Sequence, residues 1–163
     1  MAWSRVACLL VAVFFLGAAH LAAEEWGGII PGKSTRSDVQ ERFGPPSRET
    51  KKKVEGYETV EWVYEQAKAP AGFTRATVEF GLLVRGGFQP NVVRALTLNP
   101  GRGIFTRQQV LVGWGKPDRF GGEKGKDKLV FLYKSGLVVM FEPGDEIAET
   151  LLFTVPQTDD LKK

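Results

Sequence analysis

GKSTRSDVQERFGPP, residues 32–46, and GIFTRQQVLVGWGKP, residues 103–117, are one motif written twice, 71 residues apart. Aligned from Gly32 and Gly103, Thr35 matches Thr106, Arg36 matches Arg107 and Val39 matches Val110. Phe43 then falls on Trp114, Gly44 on Gly115 and Pro46 on Pro117. Recurrence of this kind signals a duplicated supersecondary unit. Each copy reads as a short helix. The threonine hydroxyl is a good acceptor for a free amide of the first turn. Three residues on stands Asp38, whose carboxylate favours a helix start, or Gln109, which completes a capping box with Thr106. Val39 and Phe43, like Val110 and Trp114, are four apart and share a helical face. The glycine supplies the left-handed backbone that ends a helix, and the proline beyond it prevents continuation. A helix of two to three turns is unstable alone, so each must lay its valine and aromatic face on a sheet.

Strands follow both helices. ETVEWVYE (58–65), TRATVEFGLL (74–83) and NVVRALTL (91–98) alternate and are rich in β-branched residues, as strands are. KLVFLY (128–133), GLVVMFE (136–142) and EIAETLLFTV (146–155) do the same after the second helix. KSG and PGD are tight turns between the second set, AKAPAG and RGGFQP are longer loops in the first, and NPGRG joins the copies. Short connections imply antiparallel meanders. The expected fold is therefore α+β, two tandem helix-plus-antiparallel-three-strand-meander repeats. Residues 24–98 form repeat 1, residues 99–155 form repeat 2, and residues 156–163 are a disordered tail without apolar periodicity.

Residues 1–23 read as a signal peptide. Arg5 precedes the apolar run VACLLVAVFFLGAA, and small residues lead to Glu24 and Glu25, the pattern of an export signal cut after Ala23 or Ala19. Residues 6–23 would also just span a bilayer as a retained anchor. Either way the folded part lies outside the cytoplasm, periplasmic or secreted. Cys8 and His20, the only cysteine and histidine of the chain, both fall in this leader. The remainder then lacks Cys- and His-based nucleophiles, His-dependent zinc sites and disulfides. Cys8 lies ahead of most of the apolar run, not at the cleavage point, so the chain is not a lipoprotein. Without Arg5, 21 Lys plus Arg face 19 Asp plus Glu. That near-neutral charge, in an exported protein, argues against nucleic acid as a partner.

The helix motif, with its threonine, valine, aromatic residue and Gly-x-Pro ending, resembles that of the SmpA/OmlA (BamE) family of outer-membrane assembly lipoproteins. Two such units in tandem resemble the secreted β-lactamase-inhibitor protein and its relatives. The resemblance implies a non-enzymatic binding module, serving outer-membrane assembly or maintenance in the first case and enzyme inhibition in the second. The lipoprotein cysteine is missing, and no inhibitory loop matches residue by residue.

No catalytic residue, cofactor site or metal site emerges. The carboxylate pairs Glu58/Glu61, Asp145/Glu146 and Asp159/Asp160 have no surroundings that would split their pKa values, as acid–base catalysis requires. GRG at 101–103 lacks the lysine and spacing of a phosphate loop. Two features invite a binding role. RETKKK (48–53) and EKGKDK (123–128) both follow a helix. Lys51, Lys52 and Lys53 form the more cationic edge, suited to anionic lipid, lipopolysaccharide or an acidic partner. The second feature is a contrast between copies. Opposite Trp62, the first copy reads Glu61, Val63, Glu65, Thr77 and Glu79, a solvated face. The second reads Val130, Leu132, Val138 and Met140, with Leu152, although its other face is also apolar. A sheet apolar on both sides must be covered on both or expose a patch. The cover is the first copy, the segment around Ile29 and Ile30, or a partner, either another envelope or secreted protein or a second copy.

Overall fold

The computed structural model describes residues 23–122, 129–144 and 146–156. The leader up to residue 22, EKGKDK and the tail from residue 157 lie outside the described residues. The helices form where the motif places them, as α1 (Arg36–Phe43) and α2 (Arg107–Trp114). Both carry a complete capping box. The Asp38 amide donates to Thr35 Oγ1 at 3.4 Å, and the Thr35 amide donates back to Asp38 Oδ2 at 2.6 Å. Gln109 and Thr106 repeat the exchange at 3.2 and 2.8 Å. The bonds from the Thr35 amide and hydroxyl hold the Asp38 carboxyl below its ordinary pKa. Gly44 and Gly115 end the helices with φ of 73° and 75°. Their ψ of −164° puts them outside the left-handed helical basin expected of them, in a region essentially reserved for glycine.

The strands depart from the expected fold. Each helix precedes four strands, not three. The first set is β1 (Arg48–Val54), β2 (Tyr57–Glu65), β3 (Phe73–Val84) and β4 (Gly87–Pro100). The second is β5 (Arg119–Gly121), β6 (Val130–Leu132), β7 (Leu137–Phe141) and β8 (Ala148–Thr154). All eight form a single antiparallel sheet in the order β1-β2-β3-β4-β8-β7-β6-β5. This overturns the tandem three-strand repeats, and with them the resemblance to the SmpA/OmlA lipoproteins and the β-lactamase-inhibitor protein. RETKKK, which was not among the expected strands, is itself the edge strand β1. RGGFQP is no long loop. Val84 pairs with Gly87 across a two-residue turn, and Phe88 and Gln89 continue in β4.

The order is a palindrome centred between β4 and β8. At that seam Leu96 pairs with Phe153, Thr97 with Leu152 and Leu98 with Leu151. The two halves repeat each other's packing about it. Tyr64 Oη donates to the Gly44 carbonyl at 3.1 Å, and Tyr133 Oη to the Gly115 carbonyl at 3.0 Å. Each bond fastens a helix end to the sheet. Trp62 meets Phe80 edge-on at 4.9 Å, and Phe131 meets Phe141 at 4.8 Å.

Both helices lie on one side of the sheet, and the core is continuous beneath them. Val39 and Val110, the inward residue of each helix, share one cluster with Tyr64, Phe80, Leu96, Phe131, Leu151 and Phe153. Ile29 is buried in the same cluster, so the segment before α1 packs on the helix side of the sheet. Trp26 packs there too, against Phe43 and Phe73.

Candidate interaction surface

Side chains alternate along a strand, so the pairing registers assign each residue to a face. One row of the open face, away from the helices, crosses all eight strands. It reads Arg48, Val63, Thr77, Thr97, Leu152, Val138, Leu132 and Arg119. Beside it, the first half carries Thr50, Glu61, Glu79 and Ala95, and the second carries Gly121, Val130, Met140 and Thr150. By the palindrome, Glu61 corresponds to Val130 and Glu79 to Met140. The halves therefore share a skeleton and differ in surface chemistry. Glu61 ion-pairs with Lys52 and Glu79 with Arg94, which leaves that half polar and internally neutralised. The other half has no charge on the four central positions.

The structure thus brings Val130, Leu132, Val138 and Met140 together on two paired strands, with Leu152 completing the patch from β8. All five are partly exposed, whereas their sequence neighbours Phe131, Leu137, Val139, Phe141, Leu151 and Phe153 are buried. Ile29 is committed to the opposite side. Neither it nor the first half encloses the patch.

Val63 corrects the reading of the first half. It was expected on a solvated face between glutamates, yet it is 0% exposed. Arg48 and Thr77 flank it across the strands and Glu61 and Glu65 along its own. These neighbours surround the valine, and the Glu61 side chain beside it is itself only 14% exposed.

The lysines are not one patch. Lys52 pairs across from Thr59 and takes the open face, whereas Lys51 and Lys53, one residue to either side, take the helix side. Glu49, also on the helix side, accepts from Trp62 Nε1 at 2.7 Å. Arg36 lies on this side as well, its guanidinium 5.7 Å from the Trp62 ring centre and 5.3 Å from that of Phe80. In the second half Phe120 replaces Glu49, is 61% exposed and meets Phe131 edge-on at 5.4 Å. The sequence reading missed both the Arg36 stack and Phe120. The signal available for the former was the arginine repeated at the first helical position.

An open cavity of about 400 Å³ lies at the ends of β4 and β8, lined by Thr74, Asn99, Arg102, Glu142 and Glu149 among others. Asn99 Nδ2 donates there to Thr150 Oγ1 at 3.1 Å. Among the described residues no cluster of three or more His, Cys, Asp or Glu side chains could hold a metal ion. No helix among them is long and apolar enough to cross a membrane.

No protein-family model matches this chain, and no curated protein does. Among solved structures, a DUF4309 family protein (YjgB) from Bacillus subtilis subsp. subtilis str. 168 is similar over 78% of this chain and 82% of its own. At 14% identity and a TM-score of 0.45, that likeness carries no argument about function.

Proposed function

We propose that the protein is a non-enzymatic binding module of the cell envelope, or a secreted one, which docks another protein on the open face of its sheet. The observation that carries this reading is the apolar patch of Val130, Leu132, Val138, Met140 and Leu152. Four of the five matching positions in the first half, Glu61, Thr77, Glu79 and Thr97, are polar, and the fifth, Val63, is buried, so the skeleton of the sheet does not require an apolar surface there. Apolar surface left partly exposed where folding does not demand it suits an interaction site. Arg119 on one side, and Thr97 and the ion-paired first half on the other, border it with polar groups. Export rests on the leader pattern, and an exported partner follows from it.

Leu132→Glu tests the face. The side chain is partly exposed, so the variant should melt within a few degrees of the parent while losing its partner, since a charge facing an apolar surface is left without solvent. A photo-crosslinking residue at Met140 should capture one discrete partner in envelope extracts, and Leu132→Glu should abolish the capture. A variant that melts normally and gives the same crosslink would eliminate this face.

A further inference from the structure

We propose that β1 is a docking edge for an extended acidic segment of a partner protein, which joins the sheet as an added strand. The sheet order ends at β1, and no strand lies beyond it among the described residues. About half of its backbone N–H and C=O groups therefore point outward, a template for another chain. The template is long and regular. Seven consecutive residues pair with β2 without a register shift, and none is proline. Proteins usually blunt such an edge by shortness, a bulge, proline or charge. The opposite edge, β5, is three residues long. At β1 charge is the one device present, and it is mainly positive. Within the strand Arg48, Lys51, Lys52 and Lys53 outnumber one acid, Glu49, which is engaged by Trp62, while on β2 Glu61 pairs with Lys52 and Glu58 stands opposite Lys53. Such a guard repels a second copy of this strand and attracts an acidic one.

The positions of the cations favour a peptide over an anionic membrane. Lys51 and Lys53 point to the helix side and Lys52 and Arg48 to the open face, so a flat surface meets one set or the other. An added strand alternates its own side chains in the same way and meets both. Lys51 and Lys53 are exposed and form no ion pair among the described residues, whereas Lys52 is paired with Glu61. The helix side is therefore where acidic side chains gain most. The backbone ladder supplies affinity, and the lysines select the charge.

The probe is a capped peptide alternating glutamate and valine, compared with a lysine–valine version, a glutamate–valine version N-methylated at every residue, and phosphatidylglycerol vesicles. The expected result is binding of the acidic peptide, with slowed hydrogen exchange of the amides at 48–54. The lysine version and the N-methylated version, which keeps its charge but cannot build a ladder, should not bind. Lys51→Glu/Lys53→Glu, which alters exposed side chains, should melt normally and weaken the acidic peptide by about tenfold. Leu132→Glu should leave this affinity unchanged, which separates failure at the edge from failure at the open face. Equal binding of the N-methylated peptide, binding to vesicles alone, or no protection at 48–54 would overturn the proposal.

Discussion

Tyr64 and Tyr133 show how single residues fasten this fold. Each is buried and donates its hydroxyl proton to a helix-ending glycine carbonyl. Burial disfavours the phenolate and raises both pKa values to about 12. The unfolded chain releases these protons near the ordinary value of 10. The stabilisation is therefore complete below about pH 10 and falls as pH climbs towards 12. Urea melts at pH 7 and about pH 11 should show this loss, and Tyr64→Phe/Tyr133→Phe should flatten it. At neutral pH each change should cost about 1 kcal/mol for the lost hydrogen bond. Val63 gives a second residue-scale prediction. Its enclosure by longer neighbours means that Val63→Glu buries an unpaired charge and should lower stability by on the order of 3 kcal/mol, or roughly 10 °C in melting temperature. Melts of Val63→Glu and Leu132→Glu side by side should show the first failing and the second surviving, although both positions lie in one row of one face.

At the scale of elements, the helices were legible because their signals are local. Thr35 with Asp38, Thr106 with Gln109, and the glycine after each aromatic residue act within one or two turns. The structure adds that a Cβ at Gly44 or Gly115 would meet nothing within 4 Å. The requirement for glycine there is backbone conformation alone. Gly44→Ala and Gly115→Ala should each cost about 1–3 kcal/mol, by equal amounts, as chemical denaturation can measure. Unequal costs would show that the two helix ends are not equivalent. β1 and β5 were not legible, for a physical reason. Strands are recognised by alternation and β-branched content, and RETKKK shows little of either because an edge favours charge over packing. RFG is too short to show any period. The parity of β6 and β7 was legible, and it placed Val130, Leu132, Val138 and Met140 together correctly. The burial of Val63 was not, since it depends on neighbours from β1 and β3.

For the whole molecule, the duplicated motif showed that the chain repeats but not how the copies meet. NVVRALTL and EIAETLLFTV each read as strands. Nothing near either one indicates that Leu98 will pair with Leu151. A pairing 53 residues apart in sequence is decided by two exposed edges that fit each other, which local patterns do not record. The missing pairing turned one sheet into two expected ones, while the helix motif and its tandem repetition pointed to the wrong families. It left the asymmetry of the open face intact, because parity along a strand survives an error in which strands adjoin.

The seam also sets an order of events. β8 is the last of the eight strands in the chain, and its pairing with β4 joins the halves of the sheet. As the polypeptide emerges from a ribosome or a translocation channel, β4 is complete about 50 residues before its neighbour exists. For that interval its long edge stands open beside a finished hairpin. Two chains emerging close together can therefore trade their final strands, each β8 closing the other's seam, since a swapped strand makes the same contacts as its own. Strand exchange at the palindrome's centre is thus the misassembly to which this architecture is most exposed. A chaperone that holds β4 until β8 arrives would protect it.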